Sequence, residues 1–99
     1  MPEAEGATTL EQKDLTITLA YGTDGPDGKG KVYVDSQEIP TMEELTRVLA
    51  EKVAEASEVT LLIRPDTRTT TGRLVEVFGI AQSVGITKYS ISAQPPDQD

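Results

Sequence analysis

The stretch Val59 to Ile63, closed by Arg64 and Pro65, is the feature that most limits what this chain can fold into. It has the length of a strand and no polar face wide enough to meet water, which marks a central strand more buried than its neighbours. Pro65 ends it, because proline has no ladder donor. An amphipathic segment stands on either side. Upstream, Thr41-Met42-Glu43-Glu44 fits a capping box, in which the Thr41 hydroxyl takes the N3 amide and Glu44 reaches back to the cap amide. Leu45, Val48, Leu49, Val53 and Ala56 then share one helix face, while Glu44, Arg47, Glu51, Lys52 and Glu55 line the other. Downstream, from about Thr70, Leu74, Val77, Phe78, Ala81 and Val84 mark a second amphipathic helix. It stops at Gly85, where a left-handed cap suits glycine, and Gly72 and Gly79 weaken it by up to ~1 kcal/mol each relative to alanine.

Alternation supplies the remaining strands. Leu15, Ile17 and Leu19 alternate with Thr16, Thr18 and Ala20, the period of a strand with one dry face. The glycine-rich stretch Gly22 to Lys31 reads as a turn, and Val32 to Val34 resumes as its hairpin partner. Tyr89, Ile91 and Ala93 alternate with Lys88, Ser90 and Ser92 in a last strand. The expected order is β-β-α-β-α-β. Short right-handed crossovers put both helices on one face of a mixed sheet, giving a two-layer α+β sandwich. Residues 1–13 read as a linker or tail, 14–93 as the domain, and 94–99 as a solvated tail.

At 99 residues there is room for one core, which buries somewhat over ~60% of the surface exposed by the unfolded chain. A net charge of −8 repels phosphate backbones and anionic headgroups, so neither nucleic acid nor a membrane surface is an expected partner. No apolar run approaches the roughly 20 residues that span a bilayer, and Met1 does not open a signal peptide. The chain therefore reads as soluble, or as a soluble piece of something longer. The absence of both His and Cys removes the usual general base, the thiolate nucleophile and the common zinc ligands together. No enzyme activity, cofactor or metal is expected.

Two motifs invite a chemical reading. Gly25-Pro26-Asp27-Gly28-Lys29-Gly30-Lys31 matches the first seven positions of a P-loop, but Val32 replaces the magnesium-binding hydroxyl and a strand follows where a phosphate site needs a helix N-terminus. A hairpin turn is the better reading. Pro26 and Gly28 likewise stand where a calcium loop needs oxygen side chains. Arg64, Asp66 and Arg68 sit at the carboxyl end of the central strand, where α/β folds often hold ligands. The plainer alternative for them is a strand terminus with a surface Arg-Asp pair, worth ~0 to 1 kcal/mol.

Taken together, the runs Val59 to Asp66, Gly72 to Phe78 and Ala81 to Ile91 resemble the ExbD/TolR family. In that family a central strand ends in Arg-Ala-Asp or similar, an amphipathic helix follows, and a small residue, Gly and an apolar residue precede a final strand. Arg64, Asp66 and Gly85 carry the likeness, while Pro65 stands in place of the usual Ala. Lys31 to Ile39, running on to Glu44 and Leu45, is similar to the family's short strand, tight turn and first helix, so the resemblance covers about residues 14 to 93. Pro2-Glu3-Ala4 resembles a family element just outside the membrane. Members of the family carry a transmembrane helix with a proton-accepting Asp, and no aspartate here lies in such a segment.

The resemblance implies the periplasmic domain of a single-pass inner-membrane protein in a Gram-negative envelope. It implies a homodimer that couples a proton channel of ExbB or TolQ type, through the missing helix, to a TonB- or TolA-type protein or to peptidoglycan. The acidic charge favours a basic peptide over an anionic glycan. An open sheet edge would hold such a peptide by strand addition. The expected edges are the first strand, Leu15, Thr16, Ile17, Thr18 and Leu19, and the last, Lys88, Tyr89, Ser90, Ile91 and Ser92. The segment from Thr8 to Leu19 is also the expected dimer contact. The competing class is a small-ligand-binding regulatory α/β domain that uses Arg64, Asp66 and Arg68.

Overall fold

The computed structural model describes residues 12–93. Its elements, in chain order, are β1 (Gln12–Leu19), β2 (Val32–Val34), β3 (Gln37–Ile39), α1 (Met42–Ala54), β4 (Glu58–Pro65), α2 (Thr71–Ser83) and β5 (Lys88–Ile91). The five strands form one mixed sheet in the order β3-β2-β1-β4-β5. β1 pairs antiparallel with β2, Ile17 opposite Val34 and Leu19 opposite Val32. It pairs parallel with β4 along its whole length, from Gln12 opposite Glu58 to Leu19 opposite Pro65. β5 completes the sheet parallel to β4.

The fold is the expected two-layer α+β sandwich. Leu15, Ile17, Leu19, Val59, Leu61 and Ile63 fill the dry face, and Leu45, Val48 and Leu49 of α1 and Val77 and Ala81 of α2 join the same core. On the opposite face Thr60, Arg64 and Ser90 are exposed. The parallel β1-β4-β5 half explains why β4 reads as a continuous apolar run: it lies between two strands and beneath the helices.

Both helix starts are built as their sequences require. The Thr41 hydroxyl accepts from the Glu44 amide at 3.0 Å and the Thr70 hydroxyl from the Arg73 amide at 3.1 Å. The reciprocal half of the Thr41 capping box is not formed; the Glu44 carboxylate turns instead to Arg47, which also reaches Glu51 at 2.6 Å. At the end of α2, Gly85 has φ 97°, its amide donates to the Gln82 carbonyl at 3.0 Å, and the Ile86 amide donates to the Ala81 carbonyl at 3.0 Å. That double closure with buried Ile86 against buried Ala81 is a Schellman cap.

Three further expectations need revision. β3 was not anticipated: Gln37–Ile39 has a single apolar residue, too short a signal for alternation, and it follows a tight reversal at Asp35, φ 55°. Strand β1 takes in Gln12 and Lys13, two residues before the expected start. Most importantly, the first strand is not an edge. The Thr16 carbonyl accepts from the Asp35 amide at 2.7 Å, the Thr16 amide donates to Asp35 Oδ1 at 3.2 Å, and the Leu19 carbonyl accepts from the Asp66 amide at 2.9 Å. Backbone groups of successive strand residues point to opposite sides, so from Leu15 to Leu19 the even positions face β2 and its turn and the odd ones face β4. Leu15, Thr16, Ile17, Thr18 and Leu19 therefore have no side left for an incoming strand. The remaining tail readings, the Pro2-Glu3-Ala4 element and the Thr8 to Glu11 part of the expected dimer contact lie outside the described residues.

Candidate functional site

The last strand is an edge. Among the described residues β5 pairs with β4 alone, Leu61 opposite Tyr89 and Ile63 opposite Ile91. The Ser92 amide donates to the Ile63 carbonyl at 2.9 Å, so the even positions Lys88, Ser90 and Ser92 direct their backbone groups inward to β4. By alternation, Tyr89 and Ile91 direct theirs outward. The side chains of these two residues stand on the helix side of the sheet. Tyr89 packs against Phe78 of α2 with ring centroids 5.1 Å apart and an interplanar angle of 44°, and Ile91 is 49% exposed. The open backbone edge is thus bordered by an apolar margin. Of the five residues expected at this edge, Tyr89 and Ile91 can bond an added strand, whereas Lys88, Ser90 and Ser92 contribute to its surroundings. Lys88 also pairs with Glu58 at 2.5 Å.

The residues at the end of β4 separate. Arg64 lies on the exposed sheet face. Asp66 and Arg68 lie beyond the strand, where Asp66 Oδ1 accepts from the Arg68 amide at 2.8 Å and from Arg68 Nε at 2.9 Å. The Arg68 guanidinium also lies 4.0 Å from the centroid of the Tyr21 ring. Of the three, Arg68 lines the cleft at this end of the sheet while Arg64 and Asp66 are not among its lining residues, so the set expected to face a regulatory ligand is not brought together there. The side-chain hydrogen bond from Arg68, then its backbone amide, hold the Asp66 carboxyl below its ordinary value. A depressed carboxyl stabilises the fold above its unfolded-state value, and that contribution is lost as pH falls through the folded-state value. Asp66→Asn is therefore expected to lower stability at neutral pH and to flatten the loss on acidification below the ordinary carboxylate range, as read from urea midpoints across pH.

The P-loop lookalike is a turn. The Gly28 amide donates to the Gly25 carbonyl at 3.1 Å, the Lys29 amide to the Pro26 carbonyl at 3.3 Å and the Gly30 amide to the Asp24 carbonyl at 2.6 Å, so these donors close the turn on itself. Arg73, in the first turn of α2, locks the turn down from below. It is 3% exposed, donates to Glu76 Oε1 at 3.0 Å, and reaches the carbonyls of Pro26 at 3.2 Å and Gly30 at 3.3 Å. Sequence reasoning passed over Arg73. The available signal was its spacing, since Arg73, Val77 and Ala81 recur every fourth residue on the buried side of α2.

Among the described residues no group of three or more acidic side chains is placed to hold a metal ion, and no helix is long and apolar enough to cross a membrane. The class that the fold defines is a small two-layer α+β domain with a mixed sheet whose two edge strands, the three-residue β3 and the longer β5, each pair on one side alone among the described residues. The family model described as Biopolymer transport protein ExbD/TolR matches residues 1–96, and the chain belongs to that family. It is a family of energy-transducing biopolymer-transport subunits, inner-membrane proteins of the envelope with a periplasmic domain. The chain matches no curated protein and no solved structure.

Proposed function

We propose that this domain is the partner-binding, force-transmitting periplasmic module of an ExbD/TolR-type subunit, and that it holds an extended peptide of a TonB- or TolA-type protein by strand addition at β5. The proton-motive force would reach it from an ExbB- or TolQ-type channel subunit through a transmembrane helix that these residues do not contain. The observation that carries the proposal is the outward backbone of Tyr89 and Ile91 beside the Phe78–Tyr89 apolar margin. Main-chain pairing supplies affinity with little demand on side-chain identity, and the margin favours apolar residues at alternate positions of the guest. An unpaired edge suits a peptide better than a glycan, so peptidoglycan is the second choice. A homodimer follows from the family, with its contact away from the enclosed Leu15 to Leu19 segment.

The alternation of β5 gives a sharp test. Ile91→Pro removes an outward donor and leaves the β4 ladder intact, so the domain should fold while affinity for a TonB-type periplasmic peptide falls roughly tenfold. Ile91→Thr keeps the donor and should bind far more nearly like the parent. Ser90→Pro removes an inward donor and should instead loosen the β4–β5 pairing. NMR titration with circular dichroism reads all three. Parental affinity in a folded Ile91→Pro protein would rule out strand addition here.

A further inference from the structure

Beyond the carboxyl end of β4 a cleft of about 530 Å³ opens between the β1–β2 turn and the first turn of α2, lined by Tyr21, Lys29, Arg68, Thr69, Arg73 and Glu76 among others. Its volume is that of a small-molecule site, and it is separate from the β5 edge. We propose that this cleft binds a small organic carboxylate, either a free acid or the terminal carboxylate of a short peptide.

The charge distribution is the first argument. The chain carries −8 overall, yet three of its nine cationic residues, Lys29, Arg68 and Arg73, line this one cleft against a single acid, Glu76. Arg68 is paired with Asp66 and Arg73 with Glu76, so the charge left to meet an anion is that of Lys29, with the guanidinium donors beside it. The cations are also differently committed. Arg73 is held by Glu76 and the two turn carbonyls, so it supplies a fixed wall. Arg68 is oriented by Asp66 and by the Tyr21 ring through Nε and one terminal nitrogen, leaving its other terminal nitrogen without a partner among the described residues. Lys29 is exposed and its ammonium has no partner among the described residues.

The second argument is an unmet hydrogen bond. Thr69 lines the cleft, and its hydroxyl has no hydrogen-bond partner among the described residues. Buried hydroxyls are almost always satisfied, and a rotation of the Thr69 side chain toward the cleft would let this donor meet a carboxylate oxygen. Gly72 adds access: a Cβ built there meets nothing within 4 Å, so open space fronts the first turn of α2, whose amides favour an anion. The aromatic ring and glycine backbone of the lining suit an organic body, which favours an organic carboxylate over inorganic phosphate.

The probe is N-acetyl-alanyl-alanine with a free carboxyl group, compared with its C-terminal amide, acetate and inorganic phosphate, each titrated into the ¹⁵N-labelled chain. The free acid should give saturable, millimolar shifts confined to the amides of Lys29, Gly30 and Thr69 to Gly72, and the amide should give none. Acetate matching the peptide acid would assign the site to free small acids; binding by the peptide acid alone would assign it to a chain terminus; either supports the proposal. Lys29→Gln and Arg68→Gln should each weaken the acid roughly fivefold or more, while Arg47→Gln, on the far face of α1, should not. The proposal falls if the amide binds as well as the acid, if phosphate binds more tightly than the carboxylates, if no saturable shift appears, or if the Lys29 and Arg68 variants bind as the parent does.

Discussion

Gly30→Ala is expected to destabilise the domain by roughly 3 kcal/mol or more. The new Cβ would stand 2.1 Å from the Ala20 carbonyl oxygen, with Gly30 at φ 105°, so neither the space nor the backbone conformation admits it. Relief requires the turn to move away from β1. The Ala20 amide bonds the Lys31 carbonyl at 2.9 Å, the Gly30 amide bonds the Asp24 carbonyl at 2.6 Å, and the Gly30 carbonyl accepts from Arg73, so movement breaks the end of the β1–β2 ladder and the lock together. Gly28→Ala is the control. Its Cβ would meet the Thr23 carbonyl at an ordinary 3.6 Å, and only the left-handed φ of 66° is penalised, at about 1 kcal/mol. Urea unfolding of both variants checks the contrast, and equal losses would mean that the close approach at Gly30 is not what fixes the turn.

Arg73→Leu is expected to cost about 3 kcal/mol, because it leaves the Glu76 carboxylate and the Pro26 and Gly30 carbonyls without the buried donor they share. Arg73→Lys should recover little of this. One terminal nitrogen of the guanidinium serves Glu76 while the other serves both carbonyls, and a single ammonium does not reproduce that fork. The accompanying signature is faster hydrogen exchange at the Gly28 and Gly30 amides with little change in the β4 ladder. Unfolding midpoints and residue-specific exchange read both; slower exchange, or a loss under about 1 kcal/mol, would show that Arg73 is not a lock.

The parts of this fold that were legible in the sequence are those written in period and caps. Leu15, Ile17 and Leu19 announced β1, the Thr41 capping box announced the start of α1, the apolar spacing from about Thr70 announced α2, and Gly85 announced its end. Strand order is not written in period. A strand with one wet face reads alike at an edge and in the interior of a one-sided sheet, and β1 lies inside because β4 pairs with it in parallel. The inward or outward direction of each β5 amide was illegible for the same reason: side-chain alternation gives the face, and only the partner's register gives the edge. Arg73 was missed because an arginine on an amphipathic helix ordinarily meets water. Its partners lie 47 and 43 residues earlier in a turn whose position over α2 is a tertiary fact.

The central claim is that β5 is the partner-binding edge, and amide hydrogen exchange on the chain with and without a saturating TonB-type periplasmic peptide tests it most directly. Tyr89 and Ile91, whose amides face outward, should exchange markedly more slowly in the complex, while Ser90 and Ser92, already bonded toward β4, should change little. Unchanged exchange at Tyr89 and Ile91 in a complex that demonstrably forms would contradict the account and place the partner elsewhere on the domain.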